Sequence, residues 1–158
     1  MKIALGADHA GFAAKEEVKG WLLDWGHTVD DVGTRDREPV DYPAYAVKVA
    51  ARVTAGRADL GVLVCGSGIG VCIAANKLPG IRAAYVSDTY SARMARAHND
   101  ANVLCLGARV TGPELMRELV AGFLAASFEG GRHQRRIEQI RQIEEGALEP
   151  FVREEAGR

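Results

Sequence analysis

The chain lacks an excess of charge of either sign, since 20 lysines and arginines meet 21 aspartates and glutamates. No long-range field therefore draws it to nucleic acid or to an anionic membrane, and any anion site has to be built locally. It also lacks an apolar run near the ~20 residues that cross a bilayer. Its opening, Met1-Lys2-Ile3-Ala4-Leu5-Gly6, reaches a glycine too early for a signal-peptide core. The expectation is a cytoplasmic protein with no nucleic-acid or membrane partner. Cysteine is scarce and odd in number. Cys65, Cys72 and Cys105 show no Cys-x-x-Cys spacing, which argues against a disulfide framework and a structural zinc site. There is no internal repeat and no low-complexity stretch. What is present is 158 residues, 47% of them apolar, enough for one well-filled core and too few for two. Residues 1–150 are expected to form one domain and residues 151–158 a flexible tail.

Short β-branched or aliphatic runs alternate with segments of helical period, the pattern of βαβ units on a parallel sheet. Strands are predicted over Lys2 to Gly6, Thr28 to Val32, Leu60 to Cys65, Arg82 to Val86 and Asn102 to Gly107. Ala14, Val18, Trp21, Leu22 and Trp25 fall on one helical stripe that Gly26 terminates. The charged loop from Gly33 to Pro43 is long for a strand-to-helix connection and emerges at the carboxyl edge of the sheet, where sites are built. Thr111-Gly112-Pro113-Glu114 has capping-box spacing and opens a helix through Leu115, Leu119 and Phe123. A last helix follows Gly130-Gly131.

The most informative stretch is Val62-Leu63-Val64-Cys65-Gly66-Ser67-Gly68-Ile69-Gly70-Val71, a buried-looking strand running into alternating glycines and then a helix. Glycines there free main-chain N–H groups to point at an anionic oxygen, and the same field favours a thiolate at Cys65. A lone cysteine is usually a packing residue, but the glycine context reverses that reading. A dinucleotide fingerprint fails because Val71 stands at the third glycine position and the motif follows the third strand. A Walker loop would need Gly-Lys-Ser or Gly-Lys-Thr, and a cysteine phosphatase an arginine among Val71 to Ala75; neither is there.

Asp8 and His9 follow strand one on the same sheet edge as Cys65, although Asp8 alone could be a helix cap. His98, before Asn99 and Asp100, ends a helix and could merely cap its dipole. In Gly130-Gly131-Arg132-His133-Gln134-Arg135-Arg136, helical geometry puts Arg132 and Arg136 on the stripe of Ile140 and Ile143, which suits a clamp on a phosphate dianion. His133 and Arg135 are placed on the solvated side. The isoleucine strip is expected to dock on a second subunit, so that helix 132–145 lies at a dimer interface. Cys72 and Cys105 are read as packing residues.

These stretches, together with Asp41-Tyr42-Pro43, Ala74-Ala75-Asn76-Lys77 and Gly80-Ile81-Arg82-Ala83, resemble the family of B-type ribose-5-phosphate isomerases and galactose-6-phosphate isomerase subunits, from Met1 to about Glu145. The resemblance implies a three-layer αβα sandwich, a Rossmann-like five-stranded parallel sheet in order 2-1-3-5-4. It also implies a homodimer or dimer of dimers with shared sites, no metal and no cofactor. The implied reaction interconverts ribose 5-phosphate and ribulose 5-phosphate through an enediolate, in the non-oxidative pentose phosphate pathway. Cys65 would be the base moving a proton between C1 and C2, and Ser67 the hydroxyl that assists between the oxygens. The amides of Gly66, Gly68 and Gly70 would hold the enediolate. His98 with Asp8 would open the sugar ring, Asn99 would contact the sugar or the oxyanion and Tyr42 the sugar, and His9, Arg109, Arg132 and Arg136 would hold the phosphate, with the last helix and His98 reaching into the neighbouring subunit's site. Ala74 stands where some members carry a glutamate base, which places this chain with the cysteine subgroup. Allose 6-phosphate or galactose 6-phosphate are rival substrates, and a non-catalytic sugar-phosphate sensor is a rival of another class.

Overall fold

The computed structural model describes residues 1–152. Five parallel strands, β1 (Lys2–Ala7), β2 (Thr28–Asp31), β3 (Leu60–Cys65), β4 (Ala83–Tyr85) and β5 (Val103–Gly107), form one sheet in the order β2-β1-β3-β5-β4. This is the order implied by the resemblance. The helices α1 (Phe12–Asp24), α2 (Tyr42–Thr54), α3 (Ile69–Ala75), α4 (Thr89–Ala97) and α5 (Pro113–Ala125) alternate with the strands, and α6 (Arg132–Glu144) and a short α7 (Glu149–Val152) follow. The expected tail therefore begins in α7, and its remainder, 153–158, lies outside the described residues.

Every residue of β3 and β5 is buried, as central strands of a sheet covered on both faces require. The period of two sorts their side chains into two cores. Ile3, Leu5, Val62, Val64, Leu104 and Leu106 face Val18, Leu22, Leu119 and Phe123 of α1 and α5. Ala4, Leu63, Cys65, Val103 and Cys105 face Ala46, Val49, Val71 and Ala75 of α2 and α3. Cys65 thus belongs by register to the α2–α3 face.

The first helix meets its expected stripe, with Gly26 at φ +80° ending it, but it also buries a charge. Lys15 is 2% exposed and donates to Asp31 Oδ2 at 2.7 Å, with Glu16 at 2.6 Å and Lys19 sharing the Asp31 oxygen at 3.1 Å. Burial opposes the charge on Asp31, but donation from Lys15, Lys19 and the Gly33 N–H outweighs it and holds the carboxyl below its usual range. The cluster ties α1 to β2.

Two expectations about α5 are corrected. Pro113 occupies its first turn and Gly112 is the N-cap, so Thr111 is one residue too early for a capping box. Proline's fixed φ and missing N–H suit the first helical position, and the helix starts there. Thr111 Oγ1 is left buried without a partner. Counting from Pro113, the inward stripe is Met116, Leu119, Val120 and Phe123, and Leu115 faces solvent.

Candidate active site

The loops after β1, β3 and β5 meet at the carboxyl edge of the sheet. Gly11 packs so tightly on β3 that a Cβ there would sit 2.4 Å from the Val64 carbonyl oxygen. This brings the Asp8–Gly11 turn against the residue before Cys65. From the other side, Ala108 N–H donates to the Cys65 carbonyl and Arg109 N–H to the Gly66 carbonyl, both at 2.9 Å. The β3 loop is held between its neighbours by main-chain geometry, before any side chain acts.

Within the loop, the Gly68 N–H donates to Cys65 Sγ at 3.1 Å. Cys65 is 4% exposed, and its sulfur turns up under the glycine loop at the end of the strand. Gly68 adopts φ +79°, the left-handed region, as the N-cap of α3. The Tyr85 ring lies where a Gly68 Cβ would be, at 2.6 Å, and Tyr42 covers Gly70 in the same way at 2.7 Å. The Arg109 guanidinium stands 3.5 Å from the Cβ position of Gly66. Ser67 Oγ accepts from Ile69 N–H at 3.3 Å. The amides of Gly68 and Ile69 are therefore engaged inside the loop, on the sulfur and the hydroxyl, so the full ring of donors expected from the sequence does not face outward.

Asp8 and His9 complete this edge. Asp8 is 6% exposed and its Oδ1 accepts from the Gly11 N–H at 3.0 Å; it closes the turn before α1, whose N-cap is Gly11 and not Asp8. His9 Nδ1 lies 3.1 Å from Val40 N and 3.2 Å from Val40 O. That contact latches the long 33–41 loop to the β1 turn. Cys65, Ser67, Gly66, Gly68, Gly70, Asp8, His9, Tyr42 and Arg109 are thus gathered on one edge.

The other expected residues are not there. Asn102 N–H donates to the Arg82 carbonyl and its own carbonyl accepts from Gly61 N–H, which fixes the segment before β5 at the amino edge. His98 and Asn99 belong to that segment. They are separated from Cys65 by the length of β3, roughly 17 Å at ~3.3 Å per residue. Asn99 gives its carbonyl to Arg82 Nε at 3.2 Å. No pairing of His98 with Asp8 exists within one chain.

His98 instead stacks on His133, with ring centroids 4.2 Å apart and planes 8° from parallel. The solvated position expected for His133 is therefore wrong: it is 7% exposed, because the sharp Gly130-Gly131 turn folds the start of α6 back over the end of α4. Burial pushes the His133 imidazole below its ordinary range, and the positive ends of His98 and Arg132 add to this. Glu129 Oε2 lies 3.7 Å from His98 Nε2 and 3.9 Å from His133 Nε2. Among the described residues these three are the group whose donor atoms cluster closely enough to hold a metal ion. Arg132 and Arg136 are exposed beside them, Arg132 Nε reaching His133 Nε2 at 3.4 Å.

Farther along α6, Glu144 accepts the Gly80 N–H with both oxygens, at 3.1 and 3.0 Å. Ile140 and Ile143 remain 44% and 46% exposed and line, with Ile81, Tyr85, Tyr90 and Met94, an open cavity of about 610 Å³. Cys72 and Cys105 pack on the α2–α3 side of the sheet, as read from the sequence. The neighbouring Cys105 thiol draws the half-buried Cys72, whose sulfur also meets the Ala83 carbonyl at 3.4 Å, down to about 7, while burial pushes Cys105 well up. Tyr85 and Glu129 went unnoticed in the sequence, and neither carries a local signal that could have marked it.

Residues 3–140 match the family model described as Ribose/Galactose Isomerase, and the chain belongs to that family. It is 51% identical over 144 residues to the ribose-5-phosphate isomerase B of Escherichia coli (strain K12), covering 91% of this chain and 97% of that one. The D-erythrulose-4-phosphate isomerase of Pectobacterium atrosepticum is 44% identical over 142 residues, 89% of this chain and 93% of its own. Among solved structures, the ribose-5-phosphate isomerase B of Clostridium thermocellum superposes with a TM-score of 0.92 at 48% identity, covering 93% of this chain and 99% of that one.

Proposed function

We propose that this chain is an aldose–ketose isomerase interconverting D-ribose 5-phosphate and D-ribulose 5-phosphate, with Cys65 as the base. The observation that carries the assignment of the base is the Gly68 N–H aimed at Cys65 Sγ, which orients the sulfur under the glycine loop at the end of a buried strand. Isomerisation needs a base for the proton on carbon beside a carbonyl, and donors where negative charge develops. In the open-chain sugar, Cys65 takes the C2 proton and the electron pair moves into an enediolate. The sulfur returns the proton to C1, while Ser67 passes the hydroxyl proton between the two oxygens. Because Gly68 and Ile69 are engaged, the amides of Gly66, Ser67 and Gly70 are left to meet the enediolate.

The positions of His98, Asn99, Arg132 and Arg136 on the opposite edge support a homodimer, or dimer of dimers, in which one subunit brings the ring-opening histidine and phosphate clamp to the partner's thiol. The isoleucine strip of α6, exposed in the single chain, is the face that such a partner covers. In this arrangement His98 and Asp8 meet across subunits, with His9 and Arg109 reaching the phosphate from the thiol side and Tyr42 contacting the sugar. Residues 1–150 act as one unit, in the cytoplasm and in the non-oxidative pentose phosphate pathway. No described helix is long and apolar enough to cross a membrane.

The test is a direct assay of ketose formation from ribose 5-phosphate. Cys65→Ala is expected to fold and to bind sugar phosphate, and to lose nearly all turnover; wild-type kcat in that variant removes the base. Parallel arms with D-erythrulose 4-phosphate, allose 6-phosphate and galactose 6-phosphate rank substrate length. Binding with no turnover on any of them would make the protein a sensor.

A further inference from the structure

We propose that His98, Glu129 and His133 form a binding site for a late first-row divalent cation, and that an ion held there blocks the phosphate end of the active site. The ion is an inhibitor and takes no part in the isomerisation. Its inhibitory effect rests on the isomerase reading above; the binding site does not.

The three donor atoms lie within 4.8 Å of one another. Zinc holds imidazole nitrogen and carboxylate oxygen at ~2.0–2.2 Å, so neighbouring ligands of a tetrahedral ion stand about 3.3 Å apart. The two histidine–carboxylate separations, 3.7 and 3.9 Å, need to close by about half an ångström to meet that geometry. The backbone already holds the set in place. The Glu129 N–H donates to the Ala97 carbonyl at 3.0 Å, which fixes Glu129 beside the residue preceding His98. The His133 N–H donates to the Gly130 carbonyl at 3.0 Å, which puts His133 four residues from Glu129 across one tight turn.

The rings stack nearly parallel, so their lone pairs run side by side and one ring has to tilt to converge on an ion. His98, with its side chain 30% exposed, has room for this, and Glu129, 58% exposed, can follow. Two histidines and one carboxylate favour zinc, nickel or copper over magnesium or calcium, and they leave a fourth position open. The guanidinium groups of Arg132 and Arg136 oppose a cation here, and Arg132 Nε must release His133 Nε2. These costs set the expected affinity in the micromolar range, tighter than incidental binding and weaker than a structural zinc site. A dication beside Arg132 and Arg136 would draw the phosphate away from its clamp, and would hold His98 by the nitrogen that ring opening needs.

The full-length protein is titrated with zinc chloride against a chromogenic zinc indicator, and isomerase activity is followed in parallel. One zinc per chain is expected, with Glu129→Gln weakening it at least tenfold. That residue faces the His98 imidazole, so the effect of zinc on each protein is read relative to its own zinc-free activity. Zinc should raise the apparent KM for ribose 5-phosphate, a chelator should reverse this, and Glu129→Gln should need at least ten times more zinc for the same effect. Cys72→Ala controls for thiol binding. Equal zinc affinity in Glu129→Gln and wild type, or loss of binding in Cys72→Ala alone, would overturn the site. Stoichiometric binding without any change in KM would overturn the blocking role. If the zinc-free protein isomerises no sugar phosphate while Glu129→Gln still weakens zinc, the function reading fails and the metal site stands.

Discussion

Two inactive variants should restore each other when they share a dimer. Cys65→Ala removes the proposed base on the carboxyl edge, and the double variant Arg132→Ala/Arg136→Ala removes the proposed clamp on the opposite edge of the same chain. A hydrogen bond to a charged group contributes about 1.5–3 kcal/mol, so losing both arginines should lower kcat/KM on the order of 10²–10⁴. The loss should fall more on KM than on kcat, because the phosphate is remote from the reacting carbons. If each site takes its thiol from one subunit and its clamp from the other, a heterodimer of the two variants has one site with both defects and one with neither. The two chains are co-expressed with different affinity tags and the doubly tagged species is purified. At substrate well below KM, its activity should be about half of wild type per dimer, far above either parent. If thiol and clamp served the same chain's site, every site would stay defective and the heterodimer would fall between its parents. That result would refute shared assembly.

Gly68→Ala should destabilise the fold by about 2 kcal/mol or more in urea titration and abolish activity, since its φ is +79° and the new Cβ would meet Tyr85 at 2.6 Å and the Leu106 backbone at 2.9 Å. Asp31→Asn should cost about 2–3 kcal/mol at pH 7, because it leaves the buried Lys15 with only the half-exposed Glu16. The Asp31 carboxyl is held low in the fold, so its contribution is complete above about pH 4 and is lost as pH falls through the folded value. The gap between wild type and Asp31→Asn should therefore narrow in acid, and a gap independent of pH would contradict the pairing. Cys72 should alkylate with a midpoint near pH 7, read by mass spectrometry of iodoacetamide-treated protein, while the fully buried Cys105 stays unmodified.

What could be read from the residues in advance was whatever is local. The β3 run into Cys65-Gly66-Ser67-Gly68 announces a strand, a turn and a helix start through hydrophobicity and backbone freedom alone, and the fold builds it that way. The α1 stripe and the stop at Gly26 were legible for the same reason. Strand order was not, because nothing in β4 or β5 says which lies next to β3; it came from the resemblance. The capping-box reading failed where two local rules competed, and Pro113 at the first turn prevailed over Thr-x-x-Glu spacing. Lys15 was hidden by its type, since its burial depends on an aspartate sixteen residues away.

His133 shows the limit most sharply. Helical phase from Arg132 to Ile143 placed it opposite the clamp, and that phase is correct for the helix. What phase cannot supply is the neighbour beyond the helix: the left-handed Gly130 and Gly131 swing α6 against the end of α4, and the solvated side becomes the stacked side. The same turn delivers Arg132 and Arg136 to the edge where the thiol is absent. Two glycines thus put Cys65 and the arginine pair on opposite edges of each chain, and if one site draws on both, as proposed above, two chains must associate before it can turn over.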